Sequence, residues 1–152
     1  MSTPSLAADS STPFASWKFD HAAIRVPDFD KAVAWYGEKL DFRLMKSVPL
    51  GEKMYGFLST PAIEHGLTIE LVAGPGAERR PTYEDLATSL TLSGLHHVAF
   101  RVDSADDAIT ELRHRDVTIV SEPHDVPKLG LRLAFFADPW GNLFEVIQTI
   151  NV

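Results

Sequence analysis

The sequence contains no cysteine in its 152 residues. This absence excludes disulfides, thiolate metal sites and a cysteine nucleophile, so any metal ion must take nitrogen and oxygen ligands. Basic residues are also scarce, because 14 Lys and Arg stand against 21 Asp and Glu for a formal net charge of -7. This acidic balance argues against nucleic acid or an anionic membrane as the main partner.

Long apolar runs are missing as well, and no stretch approaches the roughly 20 residues needed to span a bilayer. The N-terminal segment has no basic residue before Lys18, which is not typical of a secretory signal. We therefore expect a soluble cytoplasmic protein. Residues 1–16, rich in Ser, Thr, Ala and Pro, are predicted to form a disordered tail, and residues 17–150 a single domain.

The most informative feature that is present is an internal repeat, whose two copies are related by one constant offset along the chain. His21 and Arg25 in the first copy correspond to His97 and Arg101 in the second copy, and a valine and an acidic break follow each arginine. Because the residues alternate in both copies, the histidine and the arginine share one face of a predicted strand.

Each copy of the repeat opens a β-α-β-β-β pattern. The first half, about residues 17–75, combines a strand at 17–26, a helix at about 30–40 and three further apolar segments. The second half, about residues 94–150, repeats this plan, and a polar loop with a short helix joins the halves. The pattern predicts an α+β fold of paired βαβββ modules.

A glutamate lies near the end of each half. Glu70 follows His21 at nearly the same separation along the chain as Glu145 follows His97. If pseudo-symmetry brings these strands together, the four side chains form one cluster that suits Ni, Zn, Co, Fe(II) or Mn. The carboxylates can also act as bases at a carbon next to a carbonyl group. The alternative interpretation is that each histidine is a hydrogen-bonded structural residue.

Other polar residues are candidates for supporting roles. Arg25 and Arg101 share a face with the proposed ligands, so we expect them either to bind an anionic substrate group or to pair with a site glutamate. His65 and His124 fall in predicted loops, and His124 is a further candidate for lining the substrate pocket. His96 is expected on the opposite face of its strand, where it would pack or contact one of the proposed metal-ligating residues.

Five motifs together resemble the vicinal oxygen chelate superfamily, which includes glyoxalase I, methylmalonyl-CoA epimerase, extradiol dioxygenases, and fosfomycin and bleomycin resistance proteins. They comprise residues 20–28, 35–36 with Leu40, 69–71, 94–100 and 138–145. The resemblance covers about residues 19–149. It implies that the two modules form a metal-binding cup, that the substrate is a small molecule and that the protein is a homodimer in which two subunits can share each cup.

By residue-wise match, the resemblance implies that His21, Glu70, His97 and Glu145 are the metal ligands. In the bacterial glyoxalase I-like enzymes that use this set, the two glutamates also transfer protons, so Glu70 and Glu145 are the expected catalytic residues. The resemblance thus favours a divalent-metal lyase or isomerase that moves a proton next to a metal-bound carbonyl or enolate oxygen.

The chain departs from individual members of the superfamily. Gly74 and Ser93 stand where glyoxalase I has an asparagine and an arginine, which disfavours glutathione as the thiol. Phe57 stands where methylmalonyl-CoA epimerase has its second glutamate base. Two alternatives remain open, namely a ring-cleaving extradiol dioxygenase that uses Fe(II) or Mn(II), which Glu70 would crowd, and a non-catalytic binding protein of the bleomycin-resistance kind.

Overall fold

The structure is a computed structural model that describes residues 10–62 and 66–150. The first half contains β1 (His21–Val26), α1 (Phe29–Leu40), β2 (Arg43–Leu50), β3 (Lys53–Ser59) and β4 (Thr68–Ala73). The connection carries α2 (Leu86–Ser89). The second half contains β5 (His97–Arg101), α3 (Ala105–His114), β6 (Thr118–Val126), a 3₁₀ turn (Pro127–Leu129), β7 (Leu131–Ala137) and β8 (Leu143–Thr149). Residues 1–9 of the predicted tail and His65 lie outside the described residues.

Each half forms one four-stranded sheet with its histidine-bearing strand at an edge. The strand orders are β1-β4-β3-β2 and β5-β8-β7-β6. β1 runs parallel to β4 and β5 runs parallel to β8, whereas the other neighbours are antiparallel. A parallel pair needs a crossover connection, which the helix and the two intervening strands supply in each half. The outer edges of β1 and β5 have no strand partner within the described part of the chain.

The two longer helices begin at matching positions of the repeat. The Asp28 side chain accepts a hydrogen bond from the Lys31 backbone N–H at 3.0 Å, and the Ser104 side chain accepts one from that of Asp107 at 3.1 Å. Both capping residues have extended backbone, so their side chains satisfy N–H groups that the helix itself cannot pair. Each helix therefore starts directly after its edge strand and returns across its own sheet.

A single hydrophobic core joins the two halves. The large, fully buried apolar side chains come from both halves: Val26, Tyr36, Leu58, Ile69, Leu71, Ile109, Phe136 and Phe144. Helix α1 approaches β3 closely at Gly56, where a Cβ atom would lie 2.4 Å from the ring of Phe29. The Tyr36 hydroxyl donates a 2.7 Å hydrogen bond to Asp138 Oδ2, which ties the first helix to the turn before β8.

The predicted βαβββ pattern is confirmed in both halves, and the strand boundaries that differ most from the prediction are the start of β1 and the end of β6. β1 begins at His21 rather than at Trp17, because Trp17 and Phe19 are about three-quarters exposed and pair with no strand. β6 extends to Val126, so His124 lies in a strand rather than in a loop. No helix within the described ranges is long and apolar enough to cross a membrane.

Candidate metal centre

Each half brings its histidine and its glutamate into contact. His21 Nε2 lies 3.3 Å from Glu70 Oε2, and His97 Nε2 lies 3.2 Å from Glu145 Oε2. The glutamate side chains are only 16% and 12% exposed, whereas the histidines are about one-third exposed. We call His21 with Glu70 the first half-site, and His97 with Glu145 the second half-site.

The strand register explains why the two half-sites match. In each sheet the glutamate lies between an alanine of the edge strand and a phenylalanine of the next strand, and the histidine precedes that alanine by two positions on the same face. The two rows are Ala23–Glu70–Phe57 and Ala99–Glu145–Phe135. The phenylalanine ring stands edge-on to the histidine ring, with centroids 5.8 Å apart in the first half and 5.1 Å apart in the second.

The side chain of the residue immediately before each histidine contacts Nδ1 of the histidine ring. Asp20 Oδ1 lies 2.6 Å from His21 Nδ1, and His96 Nδ1 lies 2.8 Å from His97 Nδ1. The hydrogen bond to Asp20 is the main reason that the pKa of His21 is raised, and the negative charge of Glu70 adds to this effect against the opposing effect of burial. When Nδ1 donates to Asp20, a neutral His21 presents an Nε2 lone pair to the carboxylate of Glu70. Two acceptors in contact require a proton or a cation between them.

The spacing within each half-site fits two ligands of one cation. Ligand atoms about 2.1 Å from a metal, at angles between a right angle and the tetrahedral angle, are roughly 3.0–3.4 Å apart. Imidazole nitrogen and carboxylate oxygen are also donors that Ni, Zn, Co, Fe and Mn accept. Both half-sites therefore fit the metal that the sequence motifs imply.

The four predicted ligands form two separate pairs within one chain. Across residues 10–62 and 66–150, no group of three or more His, Asp or Glu side chains is arranged to hold a metal ion. The structure thus brings His21 to Glu70 and His97 to Glu145, but one chain does not combine the two half-sites. Each pair alone supplies two ligands, whereas a zinc site of the usual kind has three or four from protein.

A cleft of about 1410 Å³ takes its lining from both halves of the chain. His21 and His97 both border this cleft, but Glu70 and Glu145 do not. Most of the surrounding surface is apolar, and it includes Phe19 and Leu95, whose side chains are 76% and 70% exposed. The cleft therefore passes beside both histidines without reaching the two glutamates.

The guanidinium group of Arg25 is engaged by the backbone. Its Nη1 donates to the carbonyl groups of Val26 and Val72, and its Nη2 donates to those of Gly74 and Pro75, at 2.6 to 2.9 Å. Two of its N–H groups thus bind the ends of β1 and β4, and two bind the segment that follows β4. A role in substrate binding stays a prediction for this residue.

The other two predicted substrate-binding residues lie in different surroundings. Arg101 borders the cleft and donates a 2.6 Å hydrogen bond to Thr149 Oγ1. His124 is exposed on β6, where its Nδ1 lies 2.9 Å from the carbonyl oxygen of Glu122, and it does not line the cleft. No ion pair joins either predicted arginine to a site glutamate among the described residues.

Sequence reasoning allowed a contact between His96 and a proposed ligand, but it missed that Asp20 contacts the matching nitrogen of His21. The same offset that relates His21 to His97 also relates Asp20 to His96, so the repeat itself contained this information. The contact between Ser89 Oγ and His96 Nε2, at 2.9 Å, had no comparable signal, because it depends on how the short helix α2 packs.

Comparison with known proteins identifies the family. The model of the Glyoxalase/Bleomycin resistance protein/Dioxygenase superfamily matches residues 18–146, so the chain belongs to this superfamily. The resemblance inferred from the motifs, and the α+β fold that it implied, are therefore confirmed.

Individual relatives include a lyase and an epimerase. The chain is 29% identical over 131 residues to the probable lactoylglutathione lyase of Synechocystis sp., covering 85% of this chain and 93% of that protein. It is 29% identical over 133 residues to the mitochondrial methylmalonyl-CoA epimerase of Bos taurus, covering 86% and 74%. Among solved structures, the glyoxalase family protein from Enterococcus faecalis matches with a TM-score of 0.70 at 22% identity, covering 86% and 97%. This last match concerns the fold alone.

Proposed function

We propose that this chain is a divalent-metal-dependent lyase or isomerase of the glyoxalase I kind, which moves a proton at a carbon next to a carbonyl group. The observation that carries the proposal is the half-site that occurs twice. In each copy a histidine whose Nδ1 is held by the preceding residue directs Nε2 at a carboxylate oxygen, at 3.3 Å and 3.2 Å. A cation between the two acceptors stabilises this arrangement.

The complete site in this proposal forms between two chains of a homodimer. The first half-site of one protomer joins the second half-site of its partner, and the two-fold symmetry gives two identical sites. The outer edges of β1 and β5, which have no strand partner among residues 10–62 and 66–150, support this arrangement. The exposed apolar side chains of Phe19 and Leu95 beside the histidines support it as well. Free strand edges and exposed apolar surface are typical of a contact with another chain.

Proton transfer in this proposal is carried out by the two glutamates. A bound divalent cation supplies Lewis-acid polarisation of the substrate carbonyl. Glu145, as a carboxylate, would take the proton from the carbon beside that carbonyl, and Glu70, as a carboxylic acid, would return a proton to the neighbouring carbon. The proton left on Glu145 would then pass to Glu70, which restores both groups for the next turnover. The side chains of Glu70 and Glu145 are 16% and 12% exposed, so solvent can still exchange the protons that they carry between turnovers.

The substrate in this proposal is a small carbonyl compound other than a glutathione adduct. Arg25 donates to four backbone carbonyl groups, and Gly74 stands where glyoxalase I has an asparagine. Arg101 borders the cleft and has one hydrogen bond within the described residues, to Thr149. It therefore has donors left to bind an anionic group of the substrate.

The proposal is tested by metal analysis followed by a screen for proton transfer. Protein purified without added metal should contain one divalent ion per chain. Carbonyl compounds incubated with it in deuterated water should lose the NMR signal of the C–H bond next to the carbonyl. A chelator should stop this exchange, and added metal should restore it.

Two variants sharpen the test. Glu145→Gln should slow the exchange at least about 100-fold, because a general base contributes roughly that factor, and it should retain part of the metal. Glu122→Gln is the matched control, because Glu122 is exposed on β6 and pairs with Arg113. Metal-free protein that still catalyses the exchange would refute the proposal. Oxygen uptake with a panel of catechols would favour the dioxygenase alternative instead.

A further inference from the structure

A chain of hydrogen bonds leads from helix α2 to the second half-site. Ser89 Oγ donates to the carbonyl oxygen of Leu86 at 2.6 Å and lies 2.9 Å from His96 Nε2. His96 Nδ1 lies 2.8 Å from His97 Nδ1, and His97 Nε2 lies 3.2 Å from Glu145 Oε2. The chain thus runs without interruption from a backbone carbonyl group to a predicted metal ligand.

The first link fixes the direction of every later link. A serine hydroxyl has one proton, and a carbonyl oxygen can only accept. The proton of Ser89 therefore lies on the bond to Leu86, so Ser89 Oγ accepts from the Nε2–H of His96. A neutral His96 then has no proton on Nδ1, which accepts from the Nδ1–H of His97. The remaining ring nitrogen of a neutral His97, Nε2, has a free lone pair and faces Glu145.

The anchor of this chain is buried and lies on a capped helix. Ser89 is 1% exposed, although it lies on a helix of only four residues. That helix is held by reciprocal hydrogen bonds between Asp85 and Thr88, in which the Asp85 side chain accepts from the Thr88 N–H at 2.8 Å and Thr88 Oγ1 accepts from the Asp85 N–H at 3.2 Å. Such a capping box stabilises the first turn of a helix.

We infer that Ser89 and His96 are positioning residues that fix the tautomer and the ring orientation of His97, so that its Nε2 is the nitrogen that binds the metal. The inference rests on the proposed function for its metal, but not for the tautomers. Histidine ligands commonly donate their second N–H to a neighbouring acceptor that orients the ring. Here the acceptor is a neutral imidazole, whereas His21 of the first half-site has the carboxylate of Asp20.

The tautomers can be measured in metal-free protein. Long-range ¹H–¹⁵N correlation spectra, recorded above about pH 8 where an ordinary imidazole is neutral, distinguish a protonated Nδ1 from a protonated Nε2. We expect a protonated Nε2 in His96 and a protonated Nδ1 in His97. Ser89→Ala should weaken the preference of His96, whereas Thr91→Val should leave it unchanged. Thr91 is the matched control because its hydroxyl donates to the carbonyl oxygen of Thr88 at 2.9 Å and makes no hydrogen bond to any histidine of the described residues.

Metal affinity provides the second readout, with Zn²⁺ titrated against a chromophoric chelator. His96→Leu removes the acceptor and should weaken binding about 10- to 100-fold, the usual cost of losing a residue that orients a ligand. His96→Asn places an oxygen near the position of Nδ1 and should restore most of the affinity. Unfolding by urea, measured for each variant, separates a loss of metal affinity from a loss of fold.

The outcomes separate this inference from the proposed function. If wild-type protein binds Zn²⁺ and His96→Leu binds it equally well, the inference is wrong and the proposed function stands. If wild-type protein binds no divalent metal, the proposed function is wrong. A proton on Nδ1 of His96 in the metal-free protein would overturn the inference in either case.

Discussion

Replacing Tyr36 by phenylalanine removes one hydroxyl group from the centre of the molecule. Tyr36 is fully buried on α1, and its hydroxyl donates to Asp138 Oδ2 at 2.7 Å, which links residues far apart in the sequence. The same carboxylate accepts from the backbone N–H groups of Trp140 and Asn142 and from the Asn142 side chain. The substitution therefore breaks a link between the two halves and leaves the turn before β8 intact.

The expected cost follows from the charge of the acceptor. A hydrogen bond to a charged group contributes about 1.5–3 kcal/mol to the free energy of unfolding. Asp138 keeps three other donors, so we expect about 1.5–2 kcal/mol, the lower part of that range. For a chain of this length, such a loss lowers the melting temperature by roughly 3–8 °C.

The loss of unfolding free energy caused by Tyr36→Phe should also depend on pH. Burial raises the pKa of the Asp138 carboxyl, against the opposing effect of hydrogen bonds from Tyr36 and Asn142. A carboxyl with a higher pKa in the folded state contributes stability that is complete below its ordinary pKa and is lost as the pH rises through the folded value. The hydroxyl of Tyr36 binds the charged carboxylate most strongly. The cost of Tyr36→Phe should therefore be largest at neutral pH and should shrink as the pH falls through the pKa of Asp138.

Urea unfolding across a pH series measures both effects. Tyr55→Phe is the control, because it removes a hydroxyl from a partly buried tyrosine that makes no side-chain hydrogen bond within the described ranges. A cost below about 0.5 kcal/mol, as is usual for surface substitutions, would refute the role assigned to this bond. So would a cost that stays constant with pH while the protein remains folded.

Two further predictions concern packing and pH. Gly56→Ala should destabilise the fold by about 1–3 kcal/mol, because its Cβ would lie 2.4 Å from the Phe29 ring. Gly37→Ala in α1 should be neutral or stabilising by up to about 1 kcal/mol. Equal midpoints of urea unfolding for the two variants would contradict this prediction. Zn²⁺ affinity should fall as the pH decreases through the raised pKa of His21, because a metal binds the neutral imidazole. Asp20→Asn should move that fall to lower pH. An unchanged dependence of Zn²⁺ affinity on pH would show that Asp20 does not control the pKa of His21.

The repeat made most of the fold and both half-sites predictable. The alternation around His21 and His97, which recurs at a constant offset, placed each histidine on the first strand of its half. The helical pattern placed α1 and α3 between strands. The glutamates followed from their nearly equal distances from the histidines, and the strand register then brought each pair together.

Other contacts depend on features that a sequence does not reveal. The acceptors of Arg25 are backbone carbonyl groups, which every residue has, so no residue type marked this side chain as structural. Alternation placed the ring of His96 on the strand face opposite His97. However, β5 begins only at His97, so His96 lies outside the strand and its ring contacts that of His97. In the proposed homodimer the half-sites are joined by a second chain, which the pattern within one chain does not determine.

The most direct test of the shared site is the metal content of mixed dimers. His21→Ala and His97→Ala each damage both sites of a homodimer. If each site combines the half-sites of two chains, a dimer that contains one chain of each variant has one intact site and one site without either histidine.

Co-expression of the two variants in equal amounts gives heterodimers as half of all dimers. One of the two sites in each heterodimer is intact, so about one quarter of all sites should bind Zn²⁺ with wild-type affinity. Each variant purified alone should show none, and pooling the two after separate purification gives the baseline without exchange. Recovery of one quarter is the predicted result. The absence of wild-type-affinity sites in isolated heterodimers would contradict a site shared between chains.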